Sequence, residues 1–156
     1  GKRLDISVTQ KDIKIDIEAS KKSINLEDIV KNLYWNEKGK NNYNSPENLF
    51  INDTVELLWE KDIGDGDGTY NKIYAQPVGN KLYLFVLDSE GKLVALNINN
   101  GDTIWEINIF PEDESLSTNI DGGIALSGNN LIVSSSYGEI IKINIKEQKI
   151  EWKKNR

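Results

Sequence analysis

The chain contains no cysteine, no histidine and no methionine. Without cysteine there is no disulfide, no thiolate metal site and no thiol nucleophile. Without histidine the chain lacks the usual general base near neutral pH and the commonest metal ligand. A translation product starts with Met, so Gly1 is expected not to be the native beginning. No apolar run approaches the length of a membrane-spanning helix, and no secretory signal pattern is present. Basic residues are also short: 19 Lys and Arg stand against 25 Asp and Glu, a net charge of −6. That balance argues against a nucleic-acid or anionic-membrane surface, which needs clustered cations.

What remains is ordinary for a globular protein: 156 residues, 38% hydrophobic and 28% charged. Acidic residues gather in two places. One is Asp53, Glu56, Glu60, Asp62, Asp65 and Asp67; the other is Glu112, Asp113 and Glu114. Such runs are either solvated loop and strand edge or a docking face for a basic partner.

The strongest signal is repetition. Trp59, Trp105 and Trp152 are 46 and 47 residues apart, in the similar contexts Leu57-Leu58-Trp59-Glu60, Thr103-Ile104-Trp105-Glu106 and Lys149-Ile150-Glu151-Trp152. Gly91 and Gly138 are again 47 apart, each opening a run rich in Val, Leu and Ile: Gly91-Lys92-Leu93-Val94-Ala95-Leu96-Asn97 and Gly138-Glu139-Ile140-Ile141-Lys142-Ile143-Asn144. Each unit reads as four short strands, at 72–78, 82–87, 92–98 and 102–109, then at 122–127, 131–135, 139–145 and 148–153. Gly, Asn and Ser turns separate them. Four antiparallel strands in about 45 residues is the size of a propeller blade, whose two faces both need neighbours. A small sandwich or an open sheet of similar strand count is the alternative. The fixed Trp period favours an all-β fold, a β-propeller with about two four-stranded blades. An indole recurring in every blade is most simply inter-blade packing.

The first 53 residues do not repeat and read as an arm and linker. Asp12 to Glu18 alternates strictly, as a half-buried strand does. Asn25 to Lys31 suggests one helical turn, and Trp35 to Pro46 reads as loop, with Trp35 out of register and expected to fill a local gap. Residues 54–63 look like the last strand of a blade whose other strands are not in this sequence. The organisation expected is therefore an arm over 1–53, a blade-closing strand over 54–63, and blades over 72–109 and 121–153.

Two stretches carry a family resemblance. Gly91 to Trp105 resembles the pyrroloquinoline-quinone-type propeller repeat, a Gly turn, a strand, a second Gly turn and then Trp. In Gly138 to Trp152 the segment Lys146-Glu147-Gln148 replaces the usual Thr-Gly turn. Trp35 to Asn44 resembles the Trp-Pro-Gln-x-Gly-Gly-Asn segment of the BamB family of outer-membrane assembly lipoproteins, although Pro, Gln and one Gly are absent. Trp59 to Gly68, Asp121 to Ala125 and Ser136 to Ile140 are similar to further segments of that family, in the same order. The resemblance implies an N-terminal fragment of an eight-bladed ring, held at the periplasmic face of the outer membrane by a lipid anchor absent from this chain. It implies a non-enzymatic scaffold, without cofactor, that binds the periplasmic repeats of a BamA-like protein. A fragment of a quinone-dependent dehydrogenase and a generic protein-binding propeller are the alternatives.

Other chemistry is thin. Asp65-Gly66-Asp67-Gly68-Thr69 hints at a calcium loop, but the twelfth position is Gln76 rather than the bidentate Glu an EF-hand needs. No Lys-Ser/Thr follows the Gly run, which excludes a P-loop. Ser134, Ser135 and Ser136 have no His to activate them. For partner binding the candidates are an exposed edge strand that a partner strand extends and the loop 109–119, with Phe110, Glu112, Asp113, Glu114 and Leu116, where Phe110 is equally suited to cap the local core.

Overall fold

The structure, a computed structural model, describes residues 14–64, 73–109, 122–135 and 138–155. Two four-stranded antiparallel sheets follow a non-repeating arm. In the first sheet β1 (Val78–Gly79), β2 (Tyr83–Leu87), β3 (Lys92–Asn97) and β4 (Thr103–Asn108) lie side by side in chain order. The second repeats this with β5 (Ile124–Ser127), β6 (Asn130–Ser134), β7 (Glu139–Asn144) and β8 (Lys149–Asn155). These are the two blades. β1 is shorter than expected because Pro77, just before it, has no N–H to give a ladder.

The turns are built alike in both blades. Asp88 Oδ1 accepts from the Glu90 and Lys92 amides at 2.9 and 2.7 Å. At the matching place, 47 residues on, Ser135 Oγ accepts from the Glu139 amide at 3.2 Å. Between the last two strands, Asn97 and its counterpart Asn144 turn the chain with their side-chain oxygens. Gly101 then takes a φ of 74° and its counterpart Gln148 a φ of 54°. The Lys146-Glu147-Gln148 departure therefore changes the residues but keeps the backbone. A ladder irregularity falls at the same place in both, between Ala95 and Leu96 and between Lys142 and Ile143.

Alternation assigns the faces. Phe85, Leu87, Leu93, Ala95 and Trp105 of the first sheet share one buried cluster with Ile124, Leu126, Leu131, Val133, Ile141 and Ile143 of the second. Within it the rings of Tyr83, Phe85 and Trp105 stack in a tilted row, 5.8 and 5.9 Å apart. The sheets come closest at β1 and β5, so they open like a fan from that edge.

The arm departs from expectation twice. Asp16 Oδ1 accepts from the Glu18 and Ala19 amides, both at 3.0 Å, and caps a single helical turn, α1 (Ile17–Ser20). The strand expected over Asp12 to Glu18 is therefore not formed in its described part. A carboxylate cap competes with the extended form, and among the described residues no sheet faces Ile15 and Ile17; both are exposed. The helical turn expected over Asn25 to Lys31 is absent too. Val30 instead pairs in parallel with Leu49, through Val30 N to Asn48 O (2.9 Å) and Phe50 N to Val30 O (2.8 Å). The loop expected over Trp35 to Pro46 is formed from residue 36 onward, Trp35 itself standing in a backbone bridge. Lys40 follows Gly39 in the left-handed region, at φ of 78° and 75°, and its buried ammonium pairs with Glu47.

Candidate functional site

Three successive faces each present an indole. The first lies on residues 54–63. Trp59 and Ile63 pack there against Val86, Val94 and Leu96, on the side of the first sheet turned away from the second. The Trp59 indole N–H donates to Ile98 O at 3.0 Å. A Cβ at Gly101 would lie 2.6 Å from Trp59 Cε3, so this turn needs glycine for space as well as for φ. No backbone ladder joins 54–63 to another described residue, and Val55, Leu57 and Leu58 are exposed.

The second face holds Trp105, opposite Ala95 on β3 and 8% exposed between the sheets. The third holds Trp152, opposite Lys142 on β7. Lys142 is the counterpart of Ala95, so Trp152 occupies the place in its blade that Trp105 occupies in the first. Among the described residues no sheet covers it: Trp152 is 36% exposed, with the Lys154 ammonium 5.4 Å from the ring centroid. Ile132 and Ile140 lie on the same open face. The three indoles are one position of the repeat, seen on a lone segment, between two blades, and on a face left open among the described residues.

Polar pairs sit on the flanks. Lys92 reaches Glu106 at 3.1 Å and Lys142 reaches Glu151 at 2.6 Å. The Lys142 ammonium, helped by the Asn144 amide, holds the Glu151 carboxyl below the ordinary glutamate range. Glu147 in turn raises Lys149. A cleft of about 770 Å³ lies between the arm and the first blade. Tyr34, Trp35, Leu58, Pro77, Leu84 and Ile98 contribute to its walls.

The profile of the family described as "Outer membrane protein assembly factor BamB" matches residues 48–156. The chain belongs to the BamB family. It is 28% identical over 110 residues to BamB of Salmonella typhimurium, covering 68% of this chain and 27% of that one. With Escherichia coli K12 BamB it shares 25% identity over 103 residues, 64% of this chain and 26% of that one. The chain thus spans about a quarter of the length of the curated relatives it matches. Among solved structures, BamB from Moraxella catarrhalis aligns over 64% of this chain and 27% of that one, at 18% identity and a TM-score of 0.47. A quinohemoprotein alcohol dehydrogenase from Comamonas testosteroni aligns over 54% of this chain and 13% of that one, at 21% identity and a TM-score of 0.47.

Within this BamB-family chain, Gly91 and Gly138 occupy matching hairpin turns, at φ of 91° and 81°. Phe110, Glu112, Asp113, Glu114 and Leu116 lie outside the described residues, as does the Asp65 to Thr69 run. The serines that invited a nucleophile reading serve the backbone. Ser134 Oγ accepts from the Gly123 amide at 3.0 Å, and Ser135 Oγ holds the hairpin; Ser136 lies outside the described residues. Among the described residues no three acidic side chains gather as a metal site would require. Sequence reasoning missed the role of Trp35. Its half-buried ring lines the cleft, but its main contact is made by backbone, which pairs with Gly79 of β1. Backbone pairing leaves no trace in side-chain pattern.

Proposed function

We propose that this chain is the lead-in arm, a blade-closing strand and two blades of a longer propeller. In this reading the propeller is a non-enzymatic scaffold of outer-membrane β-barrel protein assembly, working at the periplasmic side of that membrane. The observation that carries the reading is the family match over 48–156, joined to two repeated four-stranded sheets that share one buried cluster around Trp105. A scaffold needs rigid repeats and free edges, not convergent titratable groups. The open face around Trp152 and the unpaired 54–63 segment are where further blades of the ring would pack.

The partner in this reading is a BamA-like protein, engaged through its periplasmic repeats. The loop 109–119 supplies the contact, with Phe110 and Leu116 as apolar anchors among Glu112, Asp113 and Glu114. Immobilised periplasmic repeats of that partner are expected to retain the chain. Reversing the three acidic charges should weaken retention about tenfold, since charge complementarity governs encounter, with unchanged far-ultraviolet circular dichroism. Unchanged affinity discards the loop as the contact, and failure of the unaltered chain to bind overturns the partner assignment. Added quinone and calcium should leave the absorbance of the mixture a simple sum; a stoichiometric complex would favour a dehydrogenase fragment instead.

A further inference from the structure

The two sheets are held by side chains across their faces and come closest at one edge. That edge is β1 against β5, and the arm runs along it. Trp35 N donates to Gly79 O and Gly79 N to Trp35 O, both at 2.8 Å; the next residue, Asn36, accepts at its carbonyl from Leu126 N at 2.6 Å. Gly79 pairs with Leu84 and Leu126 with Leu131. Leu84 pairs with Leu96 and Leu131 with Ile143, each 47 residues on. Gly79 and Leu126 are therefore the same position in consecutive blades.

We propose that Trp35–Asn36 is a strap that ties two neighbouring blades together at equivalent inner-edge residues and fixes the angle between them. The strap is not a loose tail. Asn36 N donates to Lys40 O at 3.2 Å, and Lys40 N to Glu37 O at 2.9 Å. The Lys40–Glu47 ion pair and the Val30–Leu49 pairing close the segment on both sides. A tie at the converging edge has leverage, because a small rotation there swings β4 and β8 furthest. It also occupies the inner edge of both sheets, where an unpaired strand would otherwise accept a foreign one. The inference rests on backbone geometry and stands apart from the assembly role.

Because the chain has no native cysteine, spin labels can be placed cleanly at Asn108→Cys and Asn155→Cys, exposed and equivalent positions on β4 and β8. Pulsed electron resonance should give one narrow distance distribution. Trp35→Pro, which removes the donated N–H, should broaden it about twofold, whereas Trp35→Phe, which keeps the backbone bonds, should not. A Trp35→Pro distribution as narrow as that of the unaltered chain overturns the proposal. If Trp35→Pro fails to fold, hydrogen exchange of the unaltered chain decides. The Gly79 and Leu126 amides should exchange at least about tenfold slower than exposed amides. Free exchange at both, with β2 and β3 protected, refutes the strap.

Discussion

The three indoles make a graded series that the structure quantifies. Trp105 is nearly enclosed between the sheets and in ring contact with Phe85. Truncating such a side chain to Ala removes its transfer energy and leaves a cavity, at a cost of about 3–5 kcal/mol. Trp59 is half-buried against one sheet and makes a single hydrogen bond to Ile98 O. Its loss should cost about 1 kcal/mol for the bond and roughly 1–2 kcal/mol for the apolar area uncovered. Trp152 has one face in solvent, so Trp152→Ala should cost less than about 1 kcal/mol, including the Lys154 contact. Urea unfolding followed by far-ultraviolet circular dichroism, rather than by the fluorescence of the residues being removed, reads these as shifts in midpoint at constant slope. The expected order is Trp105, then Trp59, then Trp152. Equal losses at Trp105 and Trp152 would refute the claim that one is covered by a blade and the other is not.

Further expectations concern the turns and the flanking charges. Gly101→Ala should destabilise by about 2 kcal/mol or more, from positive φ and collision with the Trp59 ring together, and should shift Trp59 fluorescence. Gln148→Gly should raise the urea midpoint, by an amount worth up to about 1 kcal/mol, because it relieves a left-handed strain that a side chain pays for. The Glu151 carboxyl is held low, so its pairing stabilises the fold above the ordinary value of 4.5 and is lost as pH falls through the depressed value below it. Lys149, raised by Glu147, keeps its contribution below 10.5 and loses it as pH rises through the higher folded value. The stability gap between the chain and Glu151→Gln, measured by urea midpoints, should therefore be flat from 4.5 upward through neutrality and close on acidification.

Both blades were legible in sequence because packing faces demand large apolar residues at a fixed period, and Trp59, Trp105 and Trp152 record that demand directly. The turns were legible because Gly91, Gly138 and Gly101 mark left-handed positions. Gln148 escaped notice because a glutamine adopting positive φ looks like any polar turn residue. The arm was misread for a different reason. Alternation at Ile13, Ile15 and Ile17 predicts a strand only if a sheet lies alongside, and for the described residues none does, so the local cap at Asp16 prevails. The tie to Gly79 and Leu126 uses only backbone N–H and C=O groups, which every residue but proline carries.

The two sheets are stacked face to face rather than merely joined. The direct measurement is the set of nuclear Overhauser contacts from the Phe85 and Trp105 rings. Contacts to methyl groups of Leu131, Val133, Ile141 and Ile143 are expected, with the Trp152 ring meeting none from the first sheet. Rings of the first sheet that see only their own strands would contradict it.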